Sequence, residues 1–561
     1  MDSDFKPGEG RRRKFAFDKG RQLDVESHEV VKQLLASKRI QRDHLIEYLH
    51  VLNDKYNCLY SKHLRALAEI MKLSMAEVFE VASFYAHFLI LDNDNEVAPK
   101  ITIRVCESVT CSLFGSEDLY NSLYKKYKDN FQILKAPCMG QCDYAPALEV
   151  GHRHLGNATV SKLEDIINRK DLSPIIPNYI SFKEYKNSGG YSLLKNIISG
   201  DIPFEQFYEV IAKANLRGLG GAGFPAAKKW EFVRANPEPR MMCINGDEGE
   251  VGTFKDKYYL DKDPHRFLEG VAIAAYLVSA KKCYIYMRDE YPGIIKVLKQ
   301  EILNIEEEGV IDKGILEVRR GAGAYICGEE SALIESVEGK RGIPRHRPPY
   351  VAQEGVFGLP TLVHNVETVF WLREIYEKGY KWFLSYGKND RKGLRSFSVS
   401  GFVKKPGVKL APSGISVSEL IDEYCGGMIK DHKLMAYLPG GASGGILPES
   451  LSHLPLDFDV LQKYGCFIGS AAIIVISDKV NIKDVVINLM KFFEDESCGQ
   501  CTPCRNGTAM AVKLLKKDTW NLDLLNEVCD VMSNASICGL GQAAANPILS
   551  AMKYFSKEIV K

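Results

Sequence analysis

Residues 216–225 read Leu-Arg-Gly-Leu-Gly-Gly-Ala-Gly-Phe-Pro, and Gly218, Gly220 and Gly223 stand there at G-x-G-x-x-G spacing. A dinucleotide-binding loop with that spacing follows a strand and opens a helix. Here the preceding residues are helical: Phe207, Val210, Ile211 and Ala214 recur at helical spacing between Phe204 and Asn215. A Rossmann fold is therefore set aside. The loop still offers backbone N–H groups with little side chain over them. That suits a phosphate or pyrophosphate, and it also suits a tight structural turn.

Downstream, Arg240 to Ile244 reads as a strand and ends in Asn245-Gly-Asp247-Glu248-Gly-Glu250. Three carboxylates and an amide at a strand end suit ribityl or ribose hydroxyls; the plain alternative is a solvated acidic turn. Tyr325-Ile-Cys-Gly328-Glu329-Glu330-Ser331 repeats glycine beside carboxylates, and the basic stretch from Lys340 to Arg347 either faces phosphates or is a charged surface loop. Between about Tyr191 and Lys388, helices and strands alternate, as in an α/β unit.

Upstream, Val25 to Phe88 reads as helices, with a capping box of Ser74 and Glu77. Ile101, Ile103 and Val105 alternate as a strand, Glu117 to Tyr127 is helix-like, and Phe131–Leu134 and Ala147–Val150 are further strands. Residues 172–190, with Pro174, Pro177, Gly189 and Gly190, read as a linker. After Lys388 the chain turns Gly-rich, with a strand at Ser396–Ser400 and a turn at Pro406-Gly407. From Ile482 a helix places Val485, Val486, Leu489, Met490 and Phe493 on one face.

The 561 residues carry a formal net charge of +1, so no global field points to nucleic acid or to a membrane surface. No apolar run approaches the ~18 residues of a membrane helix, and the polar start MDSDFKPGEGRRRKF lacks the apolar core of a secretory signal. A cytoplasmic chain without nucleic-acid partners or membrane insertion is expected. In a reducing compartment, spaced cysteines are more often metal ligands or catalysts than disulfides. Of the 15 cysteines, eight fall into two sets; Cys58, Cys243, Cys283, Cys327, Cys425, Cys466 and Cys529 are scattered and read as small core residues.

The C-terminal set is Cys498, Cys501 and Cys504 at C-x2-C-x2-C spacing, with Cys538 downstream. Three such thiolates and a remote fourth suit a [4Fe–4S] cluster. Zinc is the competing reading, although it commonly uses two separated pairs and often histidine. The N-terminal set, Cys106-x4-Cys111 and Cys138-x3-Cys142, follows predicted strands onto loops. Its spacing suits a [2Fe–2S] cluster and differs from zinc-ribbon or thioredoxin pairs; structural or zinc-bound cysteines stay open.

RGLGGAGFPAAKKW, NGDEGEVGTFKD, GAGAYICGEESALIESVEGKRG, HNVET and ESCGQCTPCRNGT resemble the flavin subunit of respiratory complex I and its soluble relatives. The cysteines at 106, 111, 138 and 142 resemble the thioredoxin-like [2Fe–2S] subunit of that enzyme, here joined to the flavin part in one chain. The resemblance implies an α/β multidomain chain. Its parts are a tail (1–24), a helical plus thioredoxin-like [2Fe–2S] domain (25–171), a linker (172–190) and an FMN- and NAD-binding α/β domain (191–390). A small β-grasp-like SLBB module (391–480) and a C-terminal helical bundle with a [4Fe–4S] cluster (481–561) follow. It implies FMN on the loop of Arg217, Gly218, Gly220, Gly221, Ala222 and Gly223, near Lys229, Asn245, Asp247 and Asn365, with Glu248 and Thr368 also cofactor-binding. It implies NAD(H) near Phe224, Phe232, Glu250 and Glu330, with Tyr325, Gly328, Glu329 and Arg347 among the cofactor-binding residues. Tyr350 stands where relatives often have Phe, His364 where a second Asn is usual, and Val251 where Pro is common.

The fused arrangement resembles both NAD-linked formate dehydrogenase beta subunits and NAD-reducing hydrogenase diaphorase subunits. RDEYP, SVSGFVKKPGVKLAP, ELIDEYCGGM and AYLPGGASGGILP look like the former, as does an end soon after Cys538. The resemblance implies a large molybdenum- or tungsten-pterin alpha subunit as partner and formate-driven reduction of NAD+, with a hydrogenase or electron-bifurcating complex as the alternative. It implies no catalytic acid or base, since the flavin carries the hydride chemistry.

Overall fold

The computed structural model of the chain describes residues 21–92 and 96–559; most of the expected tail, with Arg11, Arg12 and Arg13, lies outside them. Three larger sheets organise the described residues. Near the N-terminus, helices Val25–Leu34, Leu45–Tyr56, Ser61–Met71 and Met75–Phe84 precede a four-stranded sheet. The last helix carries the capping box, Ser74 with Glu77. In the sheet, Thr102–Cys106 pairs in parallel with Gln132–Ala136 and antiparallel with Leu148–Val150, which pairs with Arg153–Leu155. That last strand is too short and polar to read from sequence.

The middle sheet is wholly parallel, in the order Thr361–Asn365, Arg240–Gly246, Ala280–Met287, Leu316–Arg320. Alternate residues of its strands enter two different cores, as a period of two requires. Met242, Ile244, Cys283 and Ile285 face the core that holds helix Pro264–Leu277. Met241, Cys243, Tyr284 and Tyr286 face the other, where the N-terminal helices pack. The third sheet, of five strands, is mixed. Leu394–Gly401 lies antiparallel to Gly407–Pro412 and parallel to Ala472–Ser477; Leu434–Leu438 and Leu447–Pro448 complete it. Ile473 and Val475 enter the first core, Ile474 and Ile476 the second, so the two cores run through both sheets.

The C-terminal bundle contains helices Ile482–Asp495, Thr502–Leu515, Leu522–Ala535 and Asn546–Tyr554. The predicted apolar face of the first, Val485, Val486, Leu489, Met490 and Phe493, is buried in the second core. Residues 172–190 are not featureless: Ser181 and Glu184 cap a helix, Phe182–Asn187, whose Tyr185 is buried. No helix among the described residues is long and apolar enough to cross a membrane.

Candidate functional site

The glycine loop is pinned at both ends. A β-bridge joins Arg217 to Pro225, Gly218 N–H donates to Phe224 C=O (2.8 Å), and Arg217 binds Gly223 C=O and Asp459. Helix Phe204–Ala214 precedes it, so this is not a strand-fed dinucleotide loop. Thr368, fully buried, accepts the N–H of Leu219 at 2.9 Å and tethers the loop from behind. Gly221 has φ +138°, a conformation side chains rarely adopt.

Gly220, Gly221 and Ala222 line a cavity of about 330 Å³ with Asn245, Asp247, Glu248, Glu250, Tyr325, Gly328, Glu329 and Asn365. The residues that close it carry no role in the sequence patterns: Thr253, Lys255, Asp256, Gly440, Ser443, Gly469 and Ser470. Five of them stand in the motifs NGDEGEVGTFKD and AYLPGGASGGILP, so a signal was present without a role attached.

The walls are polar and ordered. Glu250 accepts from Tyr325 O–H, from Ser443 N–H (3.0 Å) and from Ser443 Oγ (2.9 Å), which brings the five-stranded region onto the acidic turn. Lys255, buried, pairs with Asp256 (2.8 Å) and Glu367 (2.9 Å). Asn365 caps helix Val366–Phe370 and donates to Asp256. Asn245 donates to Gly328 C=O at 2.8 Å, tying two glycine–carboxylate motifs together. Asp247 Oδ2 is buried with no hydrogen-bond partner in the protein, and burial pushes its carboxyl well above the usual range. An orphaned carboxyl oxygen on a polar cavity wall wants a ligand hydroxyl or a water. The residues present therefore fit a phosphorylated, polyhydroxyl ligand such as FMN.

The remaining predicted residues sit outside that lining. Phe224 and Phe232 are 40% and 51% exposed with ring centroids 6.0 Å apart; Tyr350 is 56% exposed. Lys229 pairs with Glu330 (3.5 Å), which pairs with Arg347 (3.0 Å); Arg347 also binds Glu329. Together they form an outer rim of exposed rings and a charged chain leading to the cavity wall at Glu329. His364 accepts from Trp230 Nε1 at 2.6 Å, and burial, with Lys229 close by, holds its imidazole at about 3. It is a neutral core residue and does not line the cavity.

The N-terminal set is buried as two adjoining pairs, and the C-terminal cysteines lie at or just before helix starts in the helical bundle. Cys106, Cys111, Cys138 and Cys142 are 1%, 1%, 1% and 4% exposed, and Cys138 Sγ lies 3.2 Å from Cys142 Sγ. Cys106 and Cys111 share one apolar pocket with Met139. The expected loops are only partly so: Cys106 ends a strand and Cys111 lies in helix Val109–Leu113. In the C-terminal set, Cys504 lies in helix Thr502–Leu515 and Cys538 caps Gly539–Ala543, while Cys498, Cys501 and Cys538 stay partly exposed. Gly539 and Leu540, next to Cys538, line the 330 Å³ cavity; Cys538 itself lines a neighbouring one of about 300 Å³ with Glu329 and Arg347. A cleft of about 570 Å³ runs from Glu107 and Pro137, beside the first set, to Cys498. Among the described residues no three of these side chains stand in closed metal-binding geometry, so the case for iron–sulfur clusters over zinc rests on the cysteine spacings and the all-cysteine sets.

Comparison with known proteins gives these observations a context. The Nuo51 FMN-binding domain model matches residues 211–374 and the NADH-ubiquinone oxidoreductase-F iron-sulfur binding region matches 484–561. The thioredoxin-like [2Fe-2S] ferredoxin model matches 31–171. The F 2 subunit of NADH-quinone oxidoreductase from Rhizobium meliloti (strain 1021) is 39% identical over 400 residues, covering 69% of this chain and 95% of its own length. The F subunit of the same enzyme from Aquifex aeolicus (strain VF5) is 39% identical over 399 residues, covering 68% and 91%. A chain of an NAD+-reducing [NiFe]-hydrogenase in the air-oxidized state superposes with a TM-score of 0.81 at 29% identity, over 93% of this chain and 94% of that one. Because the two chains cover one another so fully, an end soon after Cys538 does not separate formate-linked from hydrogen-linked relatives.

Proposed function

The chain belongs to the family of the NADH-quinone oxidoreductase F subunits, and from that premise we propose that it is the NAD+-reducing end of a multisubunit formate dehydrogenase. It is an NAD(H)-dependent flavin and iron–sulfur oxidoreductase subunit with FMN, one [2Fe–2S] and one [4Fe–4S] cluster, the first of these clusters in a thioredoxin-like region of the same chain. Bound FMN supplies hydride chemistry toward a nicotinamide and one-electron chemistry toward iron–sulfur clusters.

The chain's own residues bind and orient. Backbone N–H groups of Gly220, Gly221 and Ala222, on the cavity wall, would hold the flavin phosphate, with Thr368 fixing the loop from behind. Asp247, Asn245 and Asn365 offer hydrogen bonds to ribityl hydroxyls and ring polar atoms. Phe224, Phe232 and Tyr350 present flat apolar faces to the dinucleotide, and Lys229, Glu330 and Arg347 present charges to its ribose and phosphates. Glu250, held by Tyr325 and Ser443, fixes the wall between the two ligands. Cys106, Cys111, Cys138 and Cys142 would hold the two-iron cluster, and Cys498, Cys501, Cys504 and Cys538 the four-iron cluster. The observation that carries this reading is the cavity itself, which shares a wall with the residues beside Cys538. Gly221→Val should abolish flavin retention, because a β-branched residue resists φ +138° and its side chain would extend toward Gly469 and Ser470 on the facing cavity wall. Full flavin absorbance in that variant would show the site misplaced.

The donor assignment rests on RDEYP, SVSGFVKKPGVKLAP and AYLPGGASGGILP, which resemble formate dehydrogenase beta subunits. The partner is then a large molybdenum- or tungsten-pterin subunit, in a cytoplasmic complex catalysing formate + NAD+ = CO2 + NADH. A second reading, the diaphorase of an NAD-reducing hydrogenase, is favoured by the full-length superposition on the hydrogenase chain. The complex purified with its native large subunit decides: formate-driven reduction of NAD+ supports the first reading, and hydrogen-driven reduction replaces it with the second.

A further inference from the structure

The motif Arg288-Asp289-Glu290-Tyr291-Pro292 does not line the flavin cavity, yet it is buried and richly bonded. Arg288 stands just past strand Ala280–Met287 and is 4% exposed. Its Nη2 donates to Cys138 C=O at 2.7 Å and to Glu290 Oε1 at 2.6 Å; its Nη1 donates to Glu248 C=O. One guanidinium thus bonds a carbonyl of the N-terminal cysteine set and a carbonyl of the cavity's acidic turn, residues far apart in sequence. Tyr291 repeats the link. Its ring lies 5.3 Å from the guanidinium, its hydroxyl donates to Glu248 Oε2 at 3.0 Å, and it fills the space where a Cβ on Gly140 would come within 2.3 Å.

A cluster's reduction potential follows net charge, hydrogen bonding and solvent exposure. Removing the site from water disfavours the added electron, because water would have stabilised the extra negative charge. A fixed cation one hydrogen bond from a ligand residue opposes that effect strongly where the dielectric is low. Glu290 works in the other direction. Burial would push its carboxyl up, but Arg288, with His87, holds it at about 2, so it stays ionised beside the same cation.

We propose that Arg288 is a positioning residue that raises the reduction potential of the two-iron cluster and locks that cluster's loop to the flavin cavity, with Glu290 opposing the rise. This rests on the assignment of the two-iron cluster to Cys106, Cys111, Cys138 and Cys142. The test is a redox titration of the intact complex, following the electron paramagnetic resonance signals of both clusters. Arg288→Gln should shift the two-iron midpoint downward and Glu290→Gln should shift it upward, with the four-iron midpoint moving less in each. Arg288→Lys, which keeps the charge but loses the forked bonds, should fall between Arg288→Gln and the unaltered chain. Shifts of the same sign in Arg288→Gln and Glu290→Gln would mark general disruption and overturn the proposal, as would unmoved midpoints with both signals intact. Should Arg288→Gln lose its cluster, the signs in Glu290→Gln and Arg288→Lys still decide. Absence of any two-iron signal from the unaltered complex would instead overturn the cluster assignment beneath it.

Discussion

The two cysteine sets are chemically alike and housed in opposite ways. Cys106, Cys111, Cys138 and Cys142 lie under three other parts of the chain. Phe254 of the acidic turn packs on Cys138 and Cys142, Thr110 bonds Ser400 (3.0 Å), Phe114 stacks on Phe402, and Asn488 donates to Glu107 C=O (2.7 Å). The C-terminal set has Cys504 inside, but Cys498, Cys501 and Cys538 reach partly to solvent. Electron transfer weakens steeply with distance, so a cluster whose ligands reach solvent can lie closer to a group on a docked chain than one whose ligands are covered. The contrast leaves the C-terminal set open to approach from outside and the N-terminal set covered by the acidic turn that lines the cavity.

The largest effect should come from cutting the exposed set. Cys504→Ser should abolish NAD+ reduction by the complex and remove the four-iron resonance signal while the two-iron signal stays; parallel loss of both signals would erase the contrast. A smaller but graded effect should follow mild oxidant or chelator. The exposed set should lose iron roughly tenfold faster or more, since the buried one must wait for a local opening of at least ~1.4 kcal/mol. Equal rates, read by the two signals over time, would show that the burial does not protect. The smallest effect should come from loosening the cover. Phe254→Ala, at a 4% exposed position, should cost about 3 kcal/mol of stability and speed loss of the two-iron signal alone. Thermal unfolding and the same time course measure it; an unchanged two-iron lifetime would remove Phe254 from the cover.

Much of the architecture was legible. The helical spacing of Phe207, Val210, Ile211 and Ala214 excluded a Rossmann loop, and a helix stands there. The alternating strands and the apolar face of Ile482–Asp495 were readable for the same reason, since local periodicity reflects burial. The polar architecture of the site was not. Thr368 lies 149 residues from Leu219, Ser443 lies 193 from Glu250, and Arg288 lies 150 from Cys138. No local pattern encodes such pairs. The place of His364 was half-legible: Asn365 reaches the cavity, so its neighbour on the strand points to the opposite face, where Trp230 meets it.

The cover over the N-terminal cysteines also bears on how the protein is made. Phe254 covers Cys138 and Cys142, and Arg288 and Asn488 bond backbone carbonyls beside the set, so iron and sulfide reach these sulfurs less readily once these parts have docked. On that basis the two-iron cluster is expected to enter before these parts dock, and the four-iron cluster to be rebuilt on the finished fold. Apoprotein folded without iron should accordingly recover the four-iron signal on reconstitution in native buffer and recover the two-iron signal only after passage through mild denaturant. Recovery of both without denaturant would show that the order of maturation is not imposed by the fold.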